Sequence, residues 1–187
     1  MTVVAATRNP GKAREFSRIL SPLGFTVKSL DELGVSGEPE ETGSTFLENA
    51  RIKAAAAVAA TGFPSVADDS GICVDALGGA PGVRSARFAE PGKRTETLLA
   101  LLEGHTDRSA RFVASVVLLY PDGREITAEG ICEGEIAPAP CGDGGFGYDP
   151  VFFLPELGRT MAELTPDEKD GVSHRGKALR ALLAKLS

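Results

Sequence analysis

The chain opens on a continuous apolar run, Val3-Val4-Ala5-Ala6, which predicts a buried strand over residues 2–7. The period then changes. Between Pro10 and Leu23 the apolar positions Ala13, Phe16, Leu20 and Leu23 fall three or four residues apart, the stripe of an amphipathic helix, with proline at its first position. Phe25 to Leu30 predicts a second strand. A helix follows from Thr45 to about Ala60, because Thr45 and Glu48 have capping-box spacing and the alanine-rich run beyond Lys53 favours helix. Ser65 to Ala67 and Ile72 to Val74 flank Asp68-Asp69-Ser70-Gly71, which places this acidic tetrad at a strand end or sharp turn. Gly78 to Gly82 reads as a loop and Arg94 to Leu102 as a short helix. Arg111 to Tyr120 and Glu125 to Ile136 read as antiparallel strands joined through Pro121-Asp122-Gly123. A Gly/Pro-rich loop over 138–150, a short strand at Val151 to Phe153 and an amphipathic helix from Ser173 to Leu186 close the chain. Alternating helices and strands ahead of a meander predict one α/β domain over residues 1–187.

Composition narrows the class. Apolar residues make up 42% and charged residues 25%, the balance of an ordinary globular protein. No apolar run reaches the roughly 20 residues that span a bilayer, and the apolar start lacks a basic leader, so a soluble protein without membrane or signal segment is expected. Cys73, Cys132 and Cys141 are odd in number and unpaired in spacing, which argues for a reducing cytoplasm and against a disulfide or zinc framework. The net charge of −6 opposes a nucleic-acid polymer as partner. It leaves room for a small anion held by local cations and a metal.

Three clusters carry candidate chemistry, and each has a plainer reading. Thr7-Arg8-Asn9-Pro10-Gly11-Lys12 lies between a strand and a helix, where free backbone N–H groups and the positive dipole end favour phosphate; it also reads as a helix-start loop with a solvated lysine. Glu40-Glu41 and Asp68-Asp69 lie in two separate segments that together could bind a hard cation such as Mg²⁺ alongside substrate phosphates. Alone, the glutamates suit a helix N-terminus and the aspartates a turn. Glu48 reads as the cap of its own helix, while Asn49 and Lys53 share a helix face. Phe146-Gly147-Tyr148-Asp149, with Lys169, His174 and Arg175, offers a ring to stack on a base and polar groups to read its edge; separately these are loop packing, a solvated lysine and a helix start. His105 reads as an exposed turn residue. Gly142 to Gly147 matches G-x-G-x-x-G but runs into Pro150, and Gly171 to Lys177 matches G-x-x-x-x-G-K with Ala178 where a hydroxyl belongs. Neither is a nucleotide fingerprint in that context.

Taken in order, Ala6-Thr7-Arg8-Asn9-Pro10-Gly11-Lys12, Glu41-Thr42-Gly43, Phe46-Leu47-Glu48-Asn49-Ala50, Ala67-Asp68-Asp69-Ser70-Gly71, Leu77-Gly78-Gly79-Ala80-Pro81-Gly82, Gly145-Phe146-Gly147-Tyr148-Asp149-Pro150 and Val172-Ser173-His174-Arg175-Gly176 resemble the inosine/xanthosine triphosphate pyrophosphatase family. The resemblance implies an elongated mixed β-sheet with flanking helices, two lobes around a central substrate cleft, and a homodimer. It implies hydrolysis of ITP, dITP and XTP to the monophosphate and pyrophosphate, with Mg²⁺, or Mn²⁺ in its place. Glu41 and Asp69 would hold the metal, Asp68 would support it from a second position, and Asp69 would act as general base. Thr7 to Lys12, Lys53 and Ser70 match phosphate-end positions; Arg8 stands where many relatives have glycine. Phe146 matches a base-stacking position, and Gly147, Tyr148, Asp149, Lys169, His174 and Arg175 the base-recognition end. Two rivals remain: a phosphohydrolase releasing orthophosphate, and a nucleotide sensor without turnover.

Overall fold

Residues 1–186 are described by a computed structural model, in which the strands join one mixed sheet in the order β2-β1-β3-β4-β5-β6-β7. The strands are β1 (Thr2–Ala5), β2 (Thr26–Ser29), β3 (Ser65–Val74), β4 (Ser109–Leu119), β5 (Glu125–Ile136), β6 (Phe152–Leu154) and β7 (Arg159–Thr160). β1 is parallel to β2 and β3, and every later pairing is antiparallel. The parallel neighbours need crossovers. Helix α1 (Pro10–Leu20) supplies the first and α2 (Phe46–Thr61) lies in the second. The antiparallel β4–β5 pair needs only the turn at Pro121-Asp122-Gly123, as the sequence predicts.

At about 3.3 Å per residue, the 10- to 12-residue strands β3, β4 and β5 make the sheet long. They link separate apolar clusters. Ala50, Ala54 and Ala57 of α2 pack on one face of the sheet with Val4, Ala67 and Val117. Phe16 and Leu20 of α1 pack on the other with Val66, Val116, and Leu179 and Leu182 of α5 (His174–Ala184). At the far end Ile72, Phe112, Ile136, Phe152 and Met161 form a third cluster with Leu98 of α3 (Arg94–Leu101).

Several sequence expectations change. β3 runs unbroken through Asp68-Asp69-Ser70-Gly71, because each of these residues is paired with β4. The acidic tetrad is therefore mid-strand and not a turn. α1 stops at Leu20, a 3₁₀ turn follows over Ser21–Leu23, and Leu23 is 57% exposed rather than on the buried stripe. Helix α4 (Pro166–Val172) was not anticipated, although Thr165-Pro166-Asp167-Glu168 holds both a capping box and a proline at the first position. β7 was missed too; two residues carry no period. The predicted cap at Thr45 forms with its reciprocal Glu48 bond, and Ser173, expected as the first residue of the last helix, caps it instead.

Helix α5 approaches β5 through Gly130. A Cβ there would lie 2.1 Å from the His174 carbonyl oxygen and 2.4 Å from the Ala178 nitrogen. Gly130→Ala must therefore lift the start of α5 off the sheet, and overpacking of this kind costs about 1–3 kcal/mol. Urea denaturation should show a midpoint shift of that size; an unchanged midpoint would mean that the helix yields freely.

Candidate active site

A cleft of about 670 Å³ is lined by the loop before α1, residues 35–41, α2, mid-β3, residues 85–87 with Arg94, and residues 146–149. Thr7, Arg8, Asn9, Lys12, Glu41, Lys53, Asp69, Ser70, Phe146, Gly147, Tyr148, Asp149, Lys169, His174 and Arg175 all line it. Sites more than a hundred residues apart in sequence thus share one space.

The alternation of β3 divides its two aspartates. Asp69 points toward α2, where its Oδ2 accepts from Asn49 Nδ2 at 3.1 Å and its Oδ1 meets Lys53 Nζ at 3.1 Å. Asn49 and Lys53, spaced i and i+4, present one helix face to one carboxylate. Lys53 Nζ also meets Glu41 Oε1 at 2.8 Å, so a single ammonium gathers the two acids. Glu40 is exposed and Glu41 half-buried in this contact. Burial raises the Asp69 carboxyl above its ordinary value against the pull of Lys53 and Lys12. Burial would also discharge Lys53, but Asp68, Asp69 and Glu41 hold it protonated.

Asp68 points the opposite way, into a chain of buried charges. Its Oδ2 is 2.8 Å from Arg175 Nη2 and 3.1 Å from Lys12 Nζ. Arg175 also donates to Glu15 and, at 2.9 Å, to Ser70 Oγ. Glu15 Oε1 meets Lys169 Nζ at 2.9 Å, and Lys169 meets Asp149 Oδ2 at 2.6 Å. Three acids balance three bases. Burial disfavours the Asp68 anion, yet Arg175, Lys12 and Lys53 together hold its carboxyl far below the ordinary range. Asp68 is thus the counter-ion of Arg175 and Lys12, on the opposite face of β3 from Asp69. Its Oδ1 is buried without a hydrogen-bond partner.

The first loop also differs from expectation. Asn9 Oδ1 accepts from Gly11 N at 2.8 Å and Lys12 N at 3.2 Å, so these N–H groups are capped and not free for phosphate. Pro10 starts the helix, and Gly11 is buried against Phe146, whose ring carbon Cδ1 would lie 2.5 Å from a Cβ there. Arg8 turns its guanidinium to Asp31 and to the carbonyls of Val35 and Gly37. At the other end Lys169 Nζ stands 4.4 Å from the Phe146 ring centroid. Gly145, at φ +69°, lets Asp149 Oδ2 accept from Phe146 N at 2.8 Å; the Gly-x-Gly run serves this turn and no helix follows it directly. Tyr148 is buried with its hydroxyl on the Ser85 carbonyl at 2.9 Å, and burial raises it to about 12. It braces the loop rather than facing a base.

His174 opens α5, stacks on Phe112 with centroids 4.6 Å apart, and has a buried Nδ1 without a partner. Glu15, Arg87 and Arg94 were not anticipated from sequence. Glu15 gave one signal, an acid beside the apolar Phe16 and three residues after Lys12; Arg87 and Arg94, which line the cleft, gave none. Among the described residues no three or more His, Cys, Asp or Glu side chains form a metal cage, and no helix is long and apolar enough to cross a membrane.

The charge of His174 gives a stability test. Burial, then Arg175, hold its imidazole well below the ordinary 6.5. Below about pH 6.5 the unfolded chain therefore takes up a proton that the folded chain refuses, and stability falls with pH by up to about 1.4 kcal/mol per unit. Denaturant titrations between pH 7.5 and 5.5 should show this slope in the parent and a shallower one in His174→Gln. Equal slopes would place the titration elsewhere.

The chain matches the Ham1 family model over residues 3–185. It is 52% identical to a protein of Exiguobacterium sp. named dITP/XTP pyrophosphatase, covering 100% of this chain and 97% of that one. A Thermus thermophilus protein of the same name is 53% identical, covering 98% and 90%. Among solved structures, a HAM1 protein from Coxiella burnetii superposes with a TM-score of 0.88 at 42% identity, covering 100% of this chain and 98% of that one.

Proposed function

The chain belongs to the Ham1 family, and from that premise we propose that it hydrolyses the nonstandard purine nucleoside triphosphates dITP, XTP and ITP to monophosphate and pyrophosphate. One observation carries the reading at this chain's own residues: Glu41 and Asp69, from segments 28 positions apart, meet on Lys53 inside the cleft that also holds Lys12 and His174. A hard cation with phosphate ligands uses one or two carboxylates rather than a closed cage, and this pair fits that need. Glu41 and Asp69 would hold Mg²⁺, with Mn²⁺ as substitute; the ion would neutralise phosphate charge and acidify water.

The remaining work falls to side chains. Water attacks the α-phosphorus, its proton passes to the Asp69 carboxylate, the new O–P bond forms, and the bond from phosphorus to the bridging oxygen breaks with pyrophosphate leaving. Asn49, on Oδ2, orients that carboxylate. Lys53 remains charged and can pass from the carboxylates to phosphate oxygens when a cation takes its place. At the base end a neutral His174 offers one donor and one acceptor. A donor that expects the 6-oxo group of hypoxanthine or xanthine stays unmet beside the amino group of adenine, at about 1–3 kcal/mol per group. A homodimer working in the cytoplasm is part of the same reading.

Asp69→Asn should keep the fold and lower kcat by about two to four orders of magnitude; near-normal turnover would remove Asp69 from the chemistry. A panel of ITP, XTP, dITP, GTP and ATP, with and without Mg²⁺, should release pyrophosphate from the first three only when metal is added. Orthophosphate as the sole inorganic product would favour a phosphohydrolase, and no product at high protein concentration a sensor.

A further inference from the structure

Between Gly34 and Thr45 the chain forms no helix or strand. Among the described residues no backbone-to-backbone hydrogen bond fastens Ser36 to Thr42. Yet this strap forms one wall of the cleft and delivers Glu41 to Lys53.

Side chains hold it at two places. At the exit, Lys53 meets Glu41 at 2.8 Å, with Arg87 at 3.5 Å. At the entry, Arg8 reaches over from the loop before α1. Its Nη1 donates to the Asp31 carboxylate, and its Nη2 to the Val35 carbonyl and, at 3.2 Å, to the Gly37 carbonyl. Both Nη2 hydrogens are thereby spent on the strap. A planar donor that ties two carbonyls at the start of the strap to the Asp31 carboxylate before it fixes the strap's entry in a way a single charge does not. The exit clasp is the weaker one in use, since a cation on Glu41 competes with Lys53 for the same oxygens. Arg8 then holds the entry of the strap, and the Gly43 N–H bond to Asn49 Oδ1 at 2.8 Å holds the segment just past Glu41.

We propose that Arg8 is a positioning residue: it clasps the Ser36–Glu41 strap to the loop before α1 and so sets where Glu41 stands, rather than contacting phosphate. The proposal rests on Glu41 as a metal ligand for its effect on turnover, but not for the clasp itself.

Hydrogen-exchange mass spectrometry on the full chain, without metal or nucleotide, reads the clasp directly. Arg8→Gly should speed exchange several-fold at the bonded amides that flank the strap, Val35 on the Leu30 carbonyl and Gly43 on Asn49 Oδ1, while β3 and β4 amides stay protected; Asp31→Asn and Arg8→Lys should fall between it and the parent. Unchanged exchange in Arg8→Gly overturns the clasp. In turnover of ITP, Arg8→Gly should raise the half-saturating Mg²⁺ concentration several-fold, and by more than it raises KM at saturating Mg²⁺. A phosphate contact would behave otherwise: Arg8→Gly, but not Asp31→Asn, would lose binding of inorganic pyrophosphate measured by calorimetry in the absence of metal, and that result also overturns the proposal. Glu41→Gln separates the two levels. If it leaves the Mg²⁺ requirement unchanged, the reading of Glu41 fails while the exchange result still decides Arg8.

Discussion

The buried charge chain Lys12–Asp68–Arg175–Glu15–Lys169–Asp149 is the constraint on which the cleft depends. An unpaired ion taken out of water costs several kcal/mol, so none of these groups can sit in the interior except beside the next. The chain draws its members from the loops and helices at both ends of the sequence. Satisfying it forces α1, β3, α4, α5 and the 146–149 turn into one arrangement. It also leaves the cleft with pre-positioned cations, which is what a polyanion needs when the whole protein carries −6. The arrangement stabilises less than its contacts suggest, because most of the attraction only offsets desolvation. Its value lies in specifying geometry.

Strand alternation then separates two roles that neighbouring residues would otherwise confuse. Asp68 and Asp69 are adjacent, but one is the counter-ion within the buried chain and the other faces α2 with Asn49 and Lys53. Their protonation equilibria part accordingly. The cations around Asp68 outweigh its burial and hold it ionised, while burial prevails at Asp69 and raises it. Two carboxyls in one motif thus differ in chemistry because they lie on opposite faces of one strand.

The glycines show how packing reuses a motif. The run from Gly142 to Gly147 has the spacing of a phosphate loop, but here it shapes a turn in which Asp149 ties down Phe146. Gly11 admits the Phe146 ring to the start of α1, so the two ends of the cleft touch through an aromatic contact. Gly130 does the same for α5 and β5. At Gly11 and Gly130 the missing Cβ is needed because two elements approach closely, whereas Gly145 also needs its positive φ.

Much of this was legible in the sequence. The period changes marked β1, α1, α2 and the β4–β5 hairpin, because burial of one helix face or one strand leaves a local imprint. The cap at Thr45 was readable for the same reason, since its partner Glu48 lies three residues away. Asn49 and Lys53 shared a helix face, and both reach Asp69. The ordered motifs also named about half of the residues that line the cleft, Lys12, Glu41, Asp69, Phe146 and Arg175 among them. What the sequence could not supply was orientation. Asp68-Asp69 read as a turn because short apolar runs flank it, and only the β4 partner shows a continuous strand. Arg8 and Arg175 were matched to substrate, yet their acceptors are Asp31, Val35 and Gly37 in one case and Asp68 and Glu15 in the other. Glu15 looked like one more acid on a helix. The sequence by itself determined the elements and the chemical groups, because these depend on near neighbours; the tertiary structure alone decided which charges face each other, because the energy of a buried ion is set by partners that lie up to 160 residues away.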